Sequence, residues 1–600
     1  MAVGHRAVGA LASWSEKMST RSGSVGLSLA LLGVVTMSCA PAAPATSPAG
    51  PNGGAQVERE PRTAVIALNS EPAGLAALNP GASGFGANFA VRPFSAFLEL
   101  VDERGNGRPY LAEGLPQLNT DTWRVFPDGR METRYRLKPN LTWHDRAPLS
   151  ADDFAFAWRV YTTPEVGVPQ GFSAPISIME EVLAPDSTTV VITWKRLYPD
   201  ANLLQSGGST NLGLAPLPKH ILEGPYAAAN WDTFPNLPFW TTEFVGLGPY
   251  RLDRWEAGAF IEGVAFDGHV LGRPKIDRIR LVPYTDRNTA YASMRAGAYQ
   301  LASQQVLTFE QALNLKREWD TTNGGAFLFT PASTRHFLFQ FRPEFLGSRA
   351  LMDVRVRRAL AHSLDKVALS DALWSGEGVL LDSIFSPQTD YFPVIDRAIV
   401  KYPYDVRVTE RLMGEAGFAR GADGFYTSPG EGRLSFDVRA TVGPESESER
   451  STAASGWRQA GFDVTESALS IAQFADGMAR ASFEGMTTNT QSAPELTMSA
   501  SFVTSQTARP ENRWNGINRG GWSNAEYDRA VEAFNTVLDP NERTQQRAAI
   551  ARIFSEELPG VILYFNLNVH PRLAALTGPG NASAVSTLGV AWNMHEWEMR

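Results

Sequence analysis

Residues 40–55 read Ala-Pro-Ala-Ala-Pro-Ala-Thr-Ser-Pro-Ala-Gly-Pro-Asn-Gly-Gly-Ala. The prolines withhold backbone donors and the glycines stay flexible, so this run can enter neither a helix nor a sheet. It divides the chain into a short leader and a long body. The single cysteine of the 600 residues, Cys39, stands before it. The body therefore has no disulfide and no cysteine-based zinc or iron–sulfur centre. It must be held by buried apolar surface, and 43% hydrophobic against 20% charged residues suffices for that. The length calls for several domains or a few large ones. A net charge of −9 leaves no basic excess to neutralise phosphates, which excludes a dedicated nucleic-acid binder.

The leader carries Arg6, Lys17 and Arg21 against Glu16. The apolar run Val25, Leu27, Leu29, Ala30, Leu31, Leu32, Val34 and Val35 follows, broken by Gly26, Ser28 and Gly33. It is too short and interrupted for a membrane span. Basic, apolar, then small (Ser38, Ala40) is the order of a secretory signal, expected over 1–38. A buried helix would have nothing to pack on beside the tether. A lone cysteine is ordinarily a small buried hydrophobe. Thr36-Met37-Ser38-Cys39, however, resembles a bacterial lipobox, departing at Thr36 where leucine is usual. Lipidation of Cys39 is expected, with 39–58 as a lipid-anchored flexible linker; simple cleavage is the alternative. The body would then work outside the cytoplasm, in a periplasm or on the outer face of the cell membrane.

The body alternates strands and helices. Arg62 to Leu68 is an aliphatic strand. Met131, Thr133, Tyr135 and Leu137 alternate with Glu132, Arg134, Arg136 and Lys138, a half-solvated strand. Thr188 to Trp194 is a β-branched strand, and Phe337, Phe339 and Phe341 share one face of another. Ser150-Ala151-Asp152-Asp153 starts a helix with Phe154, Trp158 and Tyr161 on one face. Asp405 opens a second, burying Leu412, Met413 and Ala416 and stopping at Gly417. Ser523-Asn524-Ala525-Glu526 opens a third with Tyr527, Val531 and Phe534; Asp539-Pro540-Asn541-Glu542 opens a fourth, ended by Pro559. No solenoid repeat is visible. The fold class is α/β with several lobes.

The search for chemistry is mostly empty. There is no Gly-x-x-x-x-Gly-Lys, Gly-x-Ser-x-Gly or His-Glu-x-x-His. Gly81, Gly84 and Gly86 do not form a dinucleotide fingerprint. Asp152 and Asp153 point in different directions on a helix, so they read as its start rather than an acid/base pair. His144-Asp145 lacks a nucleophile and reads as a turn; Glu556-Glu557 reads as a solvated helix end. Scattered Trp and Tyr residues could stack on a ligand but are mostly filler. No catalytic residue, cofactor or metal site is expected. Such a protein binds something.

A resemblance sharpens this. Tyr110-Leu111-Ala112-Glu113, Pro127-Asp128-Gly129, Tyr135-Arg136-Leu137, Leu141-Thr142-Trp143-His144-Asp145 and Pro148-Leu149-Ser150-Ala151-Asp152-Asp153-Phe154 occur in order. Val245-Gly246-Leu247-Gly248-Pro249-Tyr250-Arg251-Leu252, Arg273-Pro274-Lys275-Ile276-Asp277, and Asp286-Arg287-Asn288-Thr289-Ala290 follow. Then come Val354-Arg355-Val356-Arg357-Arg358-Ala359-Leu360, Leu364-Asp365-Lys366, Tyr402-Pro403-Tyr404-Asp405, Trp522-Ser523-Asn524-Ala525-Glu526-Tyr527-Asp528 and Asp539-Pro540-Asn541-Glu542-Arg543. Over nearly all of 62–565 this resembles the peptide/oligopeptide family (family 5) of extracellular solute-binding proteins that feed ABC importers.

The resemblance implies a periplasmic-binding-protein-like α/β fold of the three-lobed cluster-C type, two main lobes closing on a hinge plus an extra lobe. Lobe one would comprise 59–94, 243–329 and 563–600, lobe two 95–242, and lobe three 330–562. A solute would be trapped between lobes one and three and passed to permease subunits with a separate ATPase. A monomer is expected. Peptide-binding members place an aspartate in lobe three to meet the peptide ammonium, which would be costly to bury unpaired. Here Phe483-Glu484-Gly485-Met486-Thr487-Thr488-Asn489-Thr490 occupies that stretch, and Asn489 stands near the aspartate position. Asn489 and Thr488 are therefore ligand candidates offering neutral hydrogen bonds. That favours a neutral or anionic solute, such as an oligosaccharide or modified metabolite, over a free-amino-terminus peptide. Arg335 and His336 are candidates by family position, or a surface strand end. Arg146 and Leu247 replace the family's Gly and Thr, which concerns turns and packing. The readings outside an importer component are a ligand-sensing lipoprotein and a secreted hydrolase with two distant carboxylates.

Overall fold

The computed structural model describes residues 61–79, 87–168, 174–205, 213–492, 495–581 and 589–600. The leader, Cys39, the linker and the glycines at 81, 84 and 86 lie outside the described residues.

The aliphatic run opening the body forms β1, Thr63–Leu68. It sits within a ten-stranded sheet whose other strands come from across the chain. These are β2 (Tyr250–Glu256), β3 (Phe260–Ala265), β4 (Arg278–Pro283), β5 (Leu301–Ala302) and β6 (Gly325–Phe339). β7 (Ser435–Thr441), β8 (Asp463–Leu469), β9 (Met486–Ser492) and β10 (Gly560–Leu573) complete it. The spatial order is β8-β7-β9-β6-β10-β5-β1-β4-β3-β2. β6 and β10 are its spine. They pair antiparallel from Gly325↔Leu573 to Leu338↔Gly560. On one side of the spine lies a first wing, β5, β1, β4, β3 and β2; on the other a second wing, β9, β7 and β8. Two bulges interrupt the spine: Ala332 is extra on β6 and Leu563 is extra on β10, opposite the step from Arg335 to His336. Such bulges bend and twist a ribbon.

Apolar residues of the first wing share one core with a separate four-stranded antiparallel sheet built from Trp123–Val125, Met131–Arg136, Thr189–Trp194 and Met179–Asp186. Met131, Thr133 and Tyr135 are buried while Arg134 and Arg136 are exposed, as alternation requires. Other cores flank the second wing, one around Phe337, Phe339 and Trp457, another around Phe502, Tyr527 and Phe554. Phe341 lies beyond the end of β6 and is only half-buried. Away from the spine, Asp200 and Arg543 form a largely buried ion pair, with Nη2 2.8 Å from Oδ2.

The helix Ala151–Thr162 begins with a capping box. Ser150 N–H donates to Asp153 at 2.9 Å, and Lys219 N–H does so at 2.9 Å, so Asp153 is a structural acceptor while Asp152 faces water. Asp405 caps Val406–Glu415 and Asn524 caps Ala525–Phe534. Pro540–Glu557 ends at Leu558, itself left-handed at φ 48°, one residue before the proline expected to stop it. Arg146 takes φ 73°, which explains why glycine suits that turn. Gly246 and Gly248 press against the carbonyls of Phe94 and Pro93, where any Cβ would collide.

Candidate ligand crevice

The strand directions mark where a ligand crevice would lie. β9 runs antiparallel to β6, and β7 and β8 run with β9, so the carboxyl ends of the second wing point back along the spine. β9 ends at Ser492, opposite Ser333 beside the first bulge. β5 runs antiparallel to β10, and β1 and β4 run with β5. The two wings therefore aim their carboxyl ends at one another across the middle of the spine. Ligands of open α/β sheets bind outside the carboxyl ends of strands.

The sequence-derived candidates lie at this place but on two faces of the sheet. His336 is opposite Asn489, and Arg335 is opposite Thr490. Side chains alternate along a strand, so Asn489 and His336 share one face while Arg335 and Thr488 take the other. Asn489 and His336 are both buried. Arg519 Nη1 donates to Asn489 Oδ1 at 2.8 Å, which fixes the amide so that Nδ2 meets His336 Nε2 at 3.0 Å. The imidazole must accept there, so it is neutral. Burial, then the charges of Arg335 and Arg519, push its pKa down to about 3.

Arg335 is committed elsewhere. Its Nε donates to Glu449 Oε2 at 3.0 Å, its Nη2 to Glu449 Oε1 at 2.5 Å, and its Nη1 meets the Thr490 hydroxyl. The Tyr564 hydroxyl donates to the same carboxylate. Glu449 is 2% exposed on the helix Pro444–Gln459, so this pair ties that helix to both spine strands. Thr488 is half-buried opposite Phe337.

Sequence reasoning missed Arg519 and Glu449. Arg519 sits between Asn518 and a glycine pair, which reads only as a loop. Asn518 fixes that loop, donating to the carbonyls of Phe502, Val503 and Trp522. Glu449 lies in a Glu/Ser-rich helix whose sequence looks solvated. His144 is a strut: Nε2 meets the Gly248 carbonyl at 3.0 Å and Nδ1 accepts from Gly246 N–H at 3.2 Å. Asp145 pairs instead with His220. Among the described residues no cluster of three or more His, Cys, Asp or Glu side chains is arranged to hold a metal ion, and no helix is long and apolar enough to cross a membrane.

The model of bacterial extracellular solute-binding proteins, family 5, matches residues 114–508. The chain belongs to that family. It is a family 5 ABC solute-binding protein with the mixed α/β fold of periplasmic solute-binding proteins. The oligopeptide-binding protein AppA of Bacillus subtilis is 22% identical over 481 residues, covering 79% of this chain and 81% of AppA. The AppA structure with a nonapeptide superposes with a TM-score of 0.61 at 20% identity, over 90% of this chain and 100% of that one. NikZ of Campylobacter jejuni, in complex with Ni(L-His), gives a TM-score of 0.65 at 20% identity, over 89% of this chain and 99% of that one. These relatives of the family 5 chain are binding proteins rather than enzymes.

Proposed function

We propose that this family 5 protein captures a small solute outside the cytoplasm, in the crevice between the two wings, and delivers it to the permease of an ABC importer. Lobe one (59–94, 243–329 and 563–600) and lobe three (330–562) would close on β6 and β10, with lobe two (95–242) riding on lobe one. Cys39 would carry the lipid anchor, and the protein would act as a monomer. The observation that carries this reading is the opposition of strand carboxyl ends at a bulged, two-stranded spine, within a chain of this family. AppA's nonapeptide and NikZ's Ni(L-His) mark the breadth of solutes that its relatives hold.

Asn489 and His336 would form part of the lobe-three wall. Neither carries negative charge, and a guanidinium already lies on the Asn489 carbonyl. A free ammonium brought here would find no counter-charge on Asn489 or His336, so the solute end that meets this wall is neutral or anionic. Arg335 would act by holding the wall together through Glu449.

Thermal unfolding of the purified protein with free-amino peptides, N-blocked peptides, oligosaccharides and nickel chelates tests the reading. A ligand binding only the folded state stabilises it by about 2.7 kcal/mol at a hundredfold excess over Kd. Saturable binding with the ligand recovered intact is expected; turnover of the ligand would sink the proposal. Mass spectrometry of the membrane-extracted protein would detect diacylglycerol on Cys39.

A further inference from the structure

The wall that holds Asn489 is backed by arginines that, among the described residues, form no ion pair with a carboxylate. Arg519 donates to Asn489, and its guanidinium lies 5.7 Å from the centre of the Phe474 ring. The Arg480 guanidinium lies 5.8 Å from the same centre. Arg439, on the same strand face as Thr487, gives Nη2 to the Arg480 carbonyl at 3.0 Å. It is 8% exposed, and its Nε is buried without a partner. Arg342 pins the loop from behind, bonding the carbonyls of Arg519, Ala481 and Ala508. Among the described residues, none of Arg439, Arg480 and Arg519 is within ion-pair distance of a carboxylate. Among the described residues only Asp437, held by the Ser467 and Thr465 hydroxyls, offsets Arg439 at longer range; three guanidinium groups gathered without an ion pair repel one another, and desolvating them is costly. Burial, then Arg480 and Arg439, lower the pKa of Arg519 to about 10, which records that repulsion. Phe474, 40% exposed, lies against two of these guanidinium groups, and Ile471 and Met478 of the same stretch are 77% and 49% exposed. A charged cleft with low-dielectric walls focuses its field on an arriving counter-ion.

Resting on the importer reading above, we propose that Arg519, backed by Arg439 and Arg480, is an oxyanion subsite that selects solutes presenting a carboxylate or phosphate to the lobe-three wall. A guanidinium presents forked donors matched to such groups. Asn489 keeps the fork oriented while adding no charge of its own. The missing aspartate and the unpaired arginines are then one specificity device: a carboxylate at position 489 would neutralise the fork.

The test uses the whole purified protein at an ionic strength held constant with chloride. Thermal unfolding is followed with citrate, with inorganic phosphate, and with N-acetyl-trialanine beside its C-terminal amide. A saturable shift with at least one oxyanion is expected, with the peptide acid binding at least tenfold tighter than its amide. The relative response to citrate and phosphate separates carboxylate from phosphate as the preferred group. Arg519→Gln should weaken oxyanion binding at least tenfold, and Arg480→Gln, at a more accessible position, should weaken it independently of any folding defect in the first variant. No saturable oxyanion shift, or unchanged affinity in both variants, overturns the subsite. If a neutral sugar or the peptide amide binds while no oxyanion does, the subsite falls and the importer reading stands. Oxyanion binding without compaction in small-angle scattering would keep the subsite and count against the closing crevice.

Discussion

Lowering the pH from 7 to 5 should remove much of this protein's stability. His144, His269, His336 and His570 are all buried, and burial lowers their pKa values to about 4, about 3, about 3 and about 4. For three of them the bonding shows why. His144 accepts from Gly246 N–H. His336 accepts from the Asn489 amide. Tyr110 takes a hydrogen bond from Arg92 and meets His269 Nε2 at 2.8 Å, while His269 Nδ1 faces the Gly272 carbonyl at 2.9 Å. A second proton on any of these rings would break an accepted bond. In the unfolded chain each ring titrates near its ordinary pKa of about 6.5. Below that value the unfolded chain takes up protons that the folded chain refuses. The histidine contribution is therefore complete above about pH 6.5 and is lost as pH falls toward 4. Each ring accounts for about 1.9 kcal/mol between pH 7 and pH 5. Glu99 runs the other way. Buried, its carboxyl is raised to about 7, so the fold gains about 2 kcal/mol from keeping that proton over the same interval. The net loss from these five groups is about 5 kcal/mol, and His595, lowered to about 4 by burial and then by Arg92, adds about 1.9 kcal/mol, together a large part of the 5–15 kcal/mol typical of a folded domain. Urea unfolding followed by tryptophan fluorescence at both pH values, at fixed ionic strength, measures it. His570→Gln should reduce the pH dependence by about 2 kcal/mol. A stability that changes by less than about 1 kcal/mol between pH 7 and 5 would refute the reasoning.

Glu449→Ala leaves Arg335 buried and unpaired and should cost about 3–5 kcal/mol in urea unfolding. The double replacement Arg335→Met with Glu449→Leu should recover most of it, and a single-variant loss near zero would contradict the buried-pair assignment. Gly246→Ala drives a methyl into the Phe94 carbonyl and should cost at least about 2 kcal/mol. Gly114→Ala, where a Cβ meets nothing within 4 Å, serves as the neutral control. Asn489→Asp places a carboxylate against both Arg519 and His336. It should raise the His336 titration midpoint by about one unit or more in NMR and abolish oxyanion-induced stabilisation; unchanged values for both would count against the wall as described.

The sequence made helix starts readable because caps are local. Ser150, Asp405, Asn524 and Asp539 each bond within their own first turn. The alternation from Met131 to Arg136 was equally legible, since its sheet is solvated on one face. The Gly246 and Gly248 positions were visible as a pattern, but their reason, contact with the backbone at Phe94, lies some 150 residues away in sequence and could not be read locally. Asn489 and His336 were each named by family position, but that they face one another across two strands was not legible. Their companions were not named: nothing near residue 519 announces Asn489, and nothing near residue 449 announces Arg335. These are contacts across 30 and 114 residues, and a charged side chain in a polar stretch looks solvated until the partner that buries it is known. For the same reason Arg335 reads from the sequence as free to meet a ligand, whereas its donors are spent on Glu449 and Thr490.

The sheet's spine has a consequence for how the chain reaches this state. β1 can pair with nothing until β4 and β5 have been made, β6 pairs on one edge with β9, and the two wings are joined only by β10, contributed by residues 560–573. The polypeptide is therefore locked by a strand synthesised long after the elements it joins. Long loop closures of this kind slow the final condensation, and large chains held open in this way lean on chaperones until their last partner arrives. A late closure of the central sheet is thus written into the strand order itself, because the ribosome must deliver nearly the whole body before that sheet can shut.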